Sequence, residues 1–188
     1  MYDQYDALIF DMDGTILDTE PAHRKAWSQV LARYGMAFDE SKMIAYNGSP
    51  TWRLAEVIIA ENQFAMDPHQ LAAEKNAAVK TLLLDDVRAL PLVDVVKAWH
   101  GRRPMAVGTG SERAMAVGLL DKLGILHHFS AIVGADDVSE HKPHPETFLR
   151  CAQLLSVAPE KCIVFEDADF GLQAARAAGM DVVDVRLL

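Results

Sequence analysis

Short apolar runs that end in acidic or polar residues recur along this chain, and they constrain its fold more than any other feature. The runs are ALIFD (7–11), PMAVGTGS (104–111), AIVGADD (131–137), CIVFED (162–167) and DVVDV (181–185). Continuous apolar runs of this kind indicate strands covered on both faces, as in a parallel sheet. Helical patterns separate most of them, so the chain is predicted to form a doubly wound, Rossmann-like α/β sheet. Ligands of such sheets bind beyond the carboxyl ends of the strands.

The predicted helices carry recognisable end signals. Ser111 is predicted to cap the helix in SERAMAVGLLDKLG, which Gly124 would end. Pro145 suits the first position of the helix in HPETFLRCAQLLSV, and Gly179 follows the helix in DFGLQAARAAG.

One long segment interrupts the alternation of strands and helices. Residues 16–87 contain helical patterns and no convincing strand. We therefore predict a core formed by residues 1–15 and 88–188, with residues 16–87 inserted after the first strand as a helical cap. Because the insert leaves the sheet beside Asp13, the cap is expected to stand over the strand ends as a lid.

Charge and composition exclude several classes of partner. The formal net charge of −9 argues against a general binder of nucleic acid or anionic membranes, although a small anionic substrate is compatible with it. No apolar run approaches the roughly 18 residues of a membrane span, and no basic-then-apolar signal precedes the first strand. Cys151 and Cys162 lack metal-type spacing and are interpreted as buried apolar residues. We expect a cytoplasmic protein.

Two acidic pairs follow two of the predicted strands. Asp11 and Asp13 come after the first, and Glu166 and Asp167 come after CIVFE. Since the carboxyl ends of parallel strands share one edge of the sheet, the pairs would repel each other without a cation. Carboxylate oxygens suit Mg²⁺, so the sequence predicts a magnesium site.

Other residues at the strand ends suit a phosphate. VGTGS places Thr109, Gly110 and Ser111 between a strand and a helix, where hydroxyl and backbone N–H groups can hold an anion. Lys142, in HKPHPE, would neutralise a transferred phosphoryl group if it lies beside the four acids.

Taken in order, DMDGT (11–15), VGTGS (107–111), HKPHPE (141–146) and FEDADFG (165–171) resemble the four motifs of the haloacid-dehalogenase superfamily of phosphatases and phosphomutases. The resemblance covers essentially the whole chain, including the cap. The chain is most similar to the β-phosphoglucomutase-like branch, and within it to bacterial phosphatases that act on fructose 1-phosphate and 6-phosphogluconate.

The resemblance implies a role for each motif residue. Asp11 would attack phosphorus and become an aspartyl phosphate, and Asp13 would act as general acid and then as general base. Asp11, Asp167 and the backbone carbonyl of Asp13 would hold Mg²⁺, with Glu166 binding directly or through water.

The phosphoryl group would be held by the two remaining motifs, through Thr109 and Lys142.

The cap offers further candidates for the sugar end of a substrate. These are His23, Asn47, Arg53 and Lys75. His23 is also interpretable as a hinge residue, although the related mutase has a histidine there that assists the acid/base residue.

One departure from the mutase branch concerns an arginine that grips the second phosphate of a bisphosphate. Aligned on Gly48, this chain has Thr51 at that position, and the nearest arginine is Arg53. Hydrolysis of a sugar phosphate or sugar-acid phosphate is therefore favoured. We expect the protein to be a monomer or a weak homo-oligomer. A hexose-phosphate mutase and a phosphosugar-binding regulatory protein without turnover stay open as alternatives. His127 and His128 are interpreted as helix-end residues rather than metal ligands.

Overall fold

Strands and helices follow one another in the predicted order. The computed structural model describes residues 2–46 and 49–188, and within them no helix is both long and apolar enough to cross a membrane. In chain order the elements are β1 Ala7–Phe10, β2 Leu17–Asp18, α1 Glu20–Tyr34, α2 Ser41–Ala45, α3 Thr51–Glu61, α4 Pro68–Asp86, β3 Arg88–Ala89, α5 Val93–Trp99, β4 Met105–Gly108, α6 Arg113–Lys122, β5 Ala131–Val133, α7 Glu146–Leu155, β6 Cys162–Glu166, α8 Asp169–Ala177 and β7 Asp181–Asp184.

Five strands form one parallel sheet in the order β5-β4-β1-β6-β7. Phe10 of β1 pairs with Val107 of β4 on one side and with Phe165 of β6 on the other. The chain winds first to one side of β1 and then to the other, which opens a crevice at the carboxyl end of β1. The predicted doubly wound α/β fold is confirmed.

The two faces of the sheet are covered by separate apolar clusters. Leu8 and Phe10 belong to one cluster, while Ala7 and Ile9 belong to the other. Because neighbouring residues of a strand point to opposite faces, a strand covered on both sides must be apolar throughout. This explains why the ALIF run shows no alternation with polar residues.

The helices α1 to α4 make up most of the segment predicted to be the cap. α4 packs against both α1 and α3, and Trp27, Leu54 and Leu71 lie in a third apolar cluster at their centre. The cap therefore has apolar packing of its own, while the exact bounds 16–87 stay a prediction.

The expectation of no strand within 16–87 was wrong at its first residues. Leu17 and Asp18 form β2, which pairs antiparallel with β3, so that Leu17 faces Ala89 and Asp18 faces Arg88. The two chain segments that join cap to core are thus tied to each other. A strand of two residues is too short to produce a periodic sequence signal.

The predicted capping of α6 by Ser111 was also wrong. α6 begins at Arg113, and the Arg113 N–H donates to Asp136 Oδ1 at 2.7 Å. A carboxylate from the segment after β5 therefore satisfies the helix end, which leaves the Ser111 hydroxyl available for another partner.

Both cysteines are free and buried, as predicted. Burial raises the pKa of Cys162 to about 11 and raises that of Cys151 further. Burial thus disfavours the thiolate, which is the form that binds metals and attacks as a nucleophile.

Candidate active site

The carboxyl end of β1 delivers Asp11 into the crevice. Its side chain is almost fully buried, and its backbone N–H donates to the Phe165 carbonyl oxygen at 2.9 Å, extending the pairing of β1 with β6. Gly14 then turns the chain with φ +85°, a left-handed conformation that favours glycine. A Cβ at Gly14 would also lie 2.4 Å from Asp167 Oδ2, so the turn and the approach of the second acidic pair both need glycine.

Three carboxylates meet at this point of the sheet. Asp11, Glu166 and Asp167 each present an oxygen, and the three oxygens lie within 4.8 Å of one another. Burial, followed by the charge of Glu166, raises the pKa of Asp11 well above its ordinary value and that of Asp167 to about 6. Burial and mutual repulsion disfavour the ionised forms of these carboxyl groups, and a hard divalent cation favours them. The cluster therefore fits such a cation.

Lys142 lies inside this acidic cluster. Its Nζ donates to Asp11 Oδ1 at 2.6 Å and to Glu166 Oε2 at 2.7 Å, and its side chain is 1% exposed. Burial disfavours the ammonium, but the two carboxylates outweigh it and raise the pKa of Lys142. A permanent positive charge therefore stands beside Asp11.

Both carboxylate oxygens of Glu166 accept hydrogen bonds. Oε1 accepts the backbone N–H groups of Asp167 and Ala168, each at 3.0 Å, while Oε2 accepts from Lys142. Gly171 of α8 makes room for this side chain, since a Cβ there would lie 1.8 Å from Glu166 Oε2. These contacts fix the Glu166 carboxylate, which in turn holds the Lys142 ammonium at the acidic cluster.

Asp13 lies on the other side of the crevice, against the β4–α6 loop. Its Oδ2 accepts the Ser111 hydroxyl at 2.8 Å and the Thr109 hydroxyl at 3.2 Å. The Ser111 N–H donates in turn to Thr109 Oγ1 at 3.0 Å. These bonds join the first and second motifs and fix the orientation of the Asp13 carboxylate.

A cavity of about 430 Å³ opens between these motifs and the cap. Among the residues singled out from the sequence, the following line it: Asp11, Asp13, His23, Lys75, Thr109, Gly110, Ser111 and Asp167. Lys142 and Glu166 lie buried behind Asp11. Asn47 falls outside the described residues. The volume lies in the range of small-molecule sites.

Two cap residues form a chain of contacts that leads towards Asp13: Lys75 contacts His23, and His23 lies near Asp13. Lys75 Nζ lies 2.7 Å from His23 Nδ1, and His23 Nε2 lies 3.8 Å from Asp13 Oδ1. Among the described residues neither His23 Nε2 nor Asp13 Oδ1 has a hydrogen-bond partner, although both are buried. Burial lowers the pKa of His23 to about 3, with Lys75 contributing, and lowers that of Lys75 to about 8. A neutral imidazole and an unpartnered carboxylate oxygen therefore face each other across a gap.

The structure does not bring Arg53 to the cavity. Its guanidinium lies 5.6 Å from the Trp52 ring centroid, while Thr51 lines the cavity and donates its hydroxyl to Asn76 Oδ1 at 3.1 Å. Residues two apart on a helix point in nearly opposite directions, so Arg53 cannot substitute for an arginine at position 51.

Sequence reasoning missed two contributors. Thr15 donates its hydroxyl to Asp167 Oδ1 at 2.9 Å, which ties the first motif to the fourth. Gly171 makes room for Glu166. Both residues lie within the quoted motifs, but only the packing of the two segments shows what each does.

Comparisons with known proteins place the chain among hydrolases. A family model described as haloacid dehalogenase-like hydrolase matches residues 5–179. The chain is 67% identical over 188 residues to fructose-1-phosphate phosphatase YqaB of Escherichia coli (strain K12), covering 100% of both chains. It is 31% identical over 180 residues to a phosphorylated carbohydrates phosphatase of Thermotoga maritima, covering 94% of this chain and 82% of the other. A crystal structure of β-phosphoglucomutase from Clostridium difficile superposes with a TM-score of 0.82 at 28% identity, covering 95% of this chain and 83% of that one.

Proposed function

This chain belongs to the haloacid dehalogenase-like hydrolase family and is a phosphoric monoester hydrolase, and on that premise we propose that its substrate is a small sugar phosphate. The proposed substrates are of the fructose 1-phosphate or 6-phosphogluconate type. The observation that carries the proposal is the pairing of a buried Asp11 with Lys142 at 2.6 Å, opposite an oriented Asp13, at the floor of one cavity. The full-length relative named for fructose 1-phosphate supports the choice of sugar.

In the proposed reaction, Asp11 is the nucleophile. One of its carboxylate oxygens attacks phosphorus, the bond from phosphorus to the sugar oxygen breaks, and an aspartyl phosphate forms. Burial and the charge of Glu166 raise the pKa of Asp11, and the Lys142 ammonium opposes that rise because it favours the charged carboxylate. Water then attacks the aspartyl phosphate, which releases phosphate and restores Asp11.

Asp13 handles the proton in both steps of the proposed reaction. Its Oδ1 gives a proton to the leaving sugar oxygen and later takes one from the attacking water. Thr109 and Ser111 hold Oδ2, which leaves Oδ1 without a hydrogen-bond partner among the described residues.

The transferred phosphoryl group would be held by the β4–α6 loop and Lys142. The hydroxyls of Thr109 and Ser111 and the backbone of Gly110 line the cavity beside Asp13. Asp11, Asp167 and the Asp13 carbonyl oxygen would hold Mg²⁺, with Glu166 supporting that set through Lys142 and its backbone contacts. A bound Mg²⁺ supplies positive charge that stabilises the transferring phosphoryl group.

The cap residues His23 and Lys75 would contact the sugar. Both residues line the cavity, and their side-chain nitrogens lie 2.7 Å apart. In the proposed complex these nitrogens bond to hydroxyl groups of the sugar. Arg53 is left out of the proposed site because its guanidinium lies over Trp52.

A substrate panel tests the proposal. Phosphate release is measured with Mg²⁺ for fructose 1-phosphate, 6-phosphogluconate, other hexose phosphates, glycerol 3-phosphate and phosphoglycolate. We expect the first two to show the highest kcat/KM and chelation of Mg²⁺ to abolish release. A preference for the smaller non-sugar phosphates, or full activity without Mg²⁺, would overturn it.

A second candidate is a hexose-phosphate mutase, favoured by the likeness to the Clostridium difficile enzyme. Thr51 in place of the phosphate-gripping arginine argues against it. Supplying β-glucose 1-phosphate with a catalytic sugar bisphosphate distinguishes the two, because a mutase yields glucose 6-phosphate and a phosphatase yields glucose and phosphate.

A further inference from the structure

Three histidines meet at the edge of the sheet opposite the proposed active site. His100 follows α5, and His127 and His128 lie in the short 3-10 turn Leu126–His128 between α6 and β5. These segments lie shortly before β4 and β5 begin, so the histidines lie at the amino ends of these parallel strands. The proposed catalytic residues follow carboxyl ends, at the other edge.

The rings are close enough to share one ligand. Ring centroids are separated by 4.0 Å for His127 and His128, 4.5 Å for His100 and His128, and 5.5 Å for His100 and His127. One ring nitrogen from each residue lies within 4.8 Å of the other two. Nitrogens bound to one metal at about 2.0–2.1 Å lie roughly 3.4 Å apart in tetrahedral geometry. His100 and His127 are exposed and therefore free to rotate the small remaining distance.

His128 has an unsatisfied polar atom at this place. Its Nδ1 is buried and has no hydrogen-bond partner among the described residues, which is uncommon for a buried ring nitrogen. A ring nitrogen that has no partner inside the protein is free to bind a ligand.

In place of the interpretation of His127 and His128 as helix-end residues, we propose that His100, His127 and His128 form a binding site for a transition-metal cation of the Zn²⁺ or Ni²⁺ class. Three imidazole nitrogens suit these borderline cations and do not suit Mg²⁺, which prefers oxygen. A water molecule completes the coordination. Binding clamps the α5–β4 loop to the α6–β5 loop and therefore stabilises the sheet edge without entering the reaction.

The test measures Zn²⁺ binding to the untagged protein by calorimetry, in excess Mg²⁺ so that the carboxylate cluster is occupied. We expect one equivalent to bind the parent protein and to raise its midpoint of thermal unfolding. His127→Ala and His100→Ala, both at exposed positions, should each weaken binding at least ~10-fold. His69→Ala, an exposed histidine on α4, is the matched control and should bind like the parent.

Two results overturn the proposal. One is the absence of Zn²⁺ binding by the parent protein under these conditions. The other is binding of equal strength in the His127 and His100 variants, which would place the cation at the carboxylates instead. Because the readouts are heat and unfolding temperature, neither result depends on the proposed substrate.

Discussion

Lys142 Nζ lies 2.6 Å from Asp11 Oδ1, and both side chains are almost completely removed from water. The residues are 131 positions apart, so this contact joins the first strand end to the loop before α7. Glu166 accepts from the same ammonium at 2.7 Å. The Lys142 ammonium thus lies within hydrogen-bond distance of two buried carboxylates.

Lys142→Met should destabilise the protein most when divalent cations are removed. Breaking one side of a buried ion pair costs about 3–5 kcal/mol of the free energy of unfolding, because the partner charges stay buried and uncompensated. Adding Mg²⁺ should restore part of this loss. The measurement is thermal or urea unfolding of parent and variant with chelator and with Mg²⁺. Lys122→Met, at an exposed position on α6, is the control and should change little. A Lys142 variant whose stability does not depend on Mg²⁺ would contradict the prediction.

Asp11→Asn should abolish phosphate release while leaving the fold intact. The amide is nearly the same size as the carboxylate and can still accept from Lys142, but it is not a nucleophile. We expect kcat to fall at least about 10⁴-fold, the scale on which removal of a nucleophile acts in other hydrolases. Rates are compared with circular dichroism spectra of the same samples. Asp121→Asn, exposed on α6, should keep full activity; surviving turnover in the Asp11 variant would exclude this residue as nucleophile.

The strand ends and the acidic cluster could be predicted from the sequence because each depends on a local pattern. A buried parallel strand is apolar along its whole length, so the residue at which Asp11 ends the run is visible in the sequence. The sheet then brings together the residues that follow each strand. That reasoning placed Asp11 and Asp167 together although they are far apart in the chain.

Contacts that depend on packing between segments could not be predicted. The approach of Lys75 to His23 follows from the packing of α4 on α1, and nothing in either helix signals it. Asp136 caps α6 from the segment after β5, which the neighbouring Ser111 gave no reason to expect. Arg53 is close to Thr51 in sequence, but residues two apart on a helix point in nearly opposite directions. Arg53 therefore lies over Trp52, while Thr51 bonds to Asn76.

Lys75 provides a prediction about pH. Burial lowers its pKa from the ordinary 10.5 to about 8, so between these values the folded protein has released a proton that the unfolded chain still holds. Lys75 therefore destabilises the folded protein most below pH 8, and this destabilisation decreases as the pH rises towards 10.5. The change across this window is up to about 3 kcal/mol, since one pH unit corresponds to about 1.4 kcal/mol.

The measurement compares urea unfolding of the parent protein and Lys75→Met from pH 7 to 10. The stability of the parent relative to the variant should rise with pH above about 8. Lys80→Met changes an exposed position of the same helix, and the stability of the parent relative to this variant should not rise with pH. A constant difference between parent and Lys75→Met across this range would show that Lys75 is not desolvated in the folded protein.

Gly171→Ala should weaken the response to Mg²⁺ by displacing Glu166, without replacing any of the carboxylates. The added Cβ would lie 1.8 Å from Glu166 Oε2, so the carboxylate must move away from Lys142 and from its place in the acidic cluster. Loss of such a supporting contact typically reduces metal affinity 10–100-fold. The apparent Mg²⁺ affinity is obtained from phosphate release, and independently from the rise of the unfolding midpoint with Mg²⁺.

Gly118→Ala is the matched control for this prediction. Gly118 lies in α6, where a Cβ would meet no atom within 4 Å, so the change should leave Mg²⁺ dependence as it is and stabilise the helix by up to about 1 kcal/mol. Alanine favours helix equally at both positions, and the difference between the variants therefore isolates the displacement of Glu166. If both variants respond to Mg²⁺ like the parent, the position of Glu166 does not govern binding of the ion.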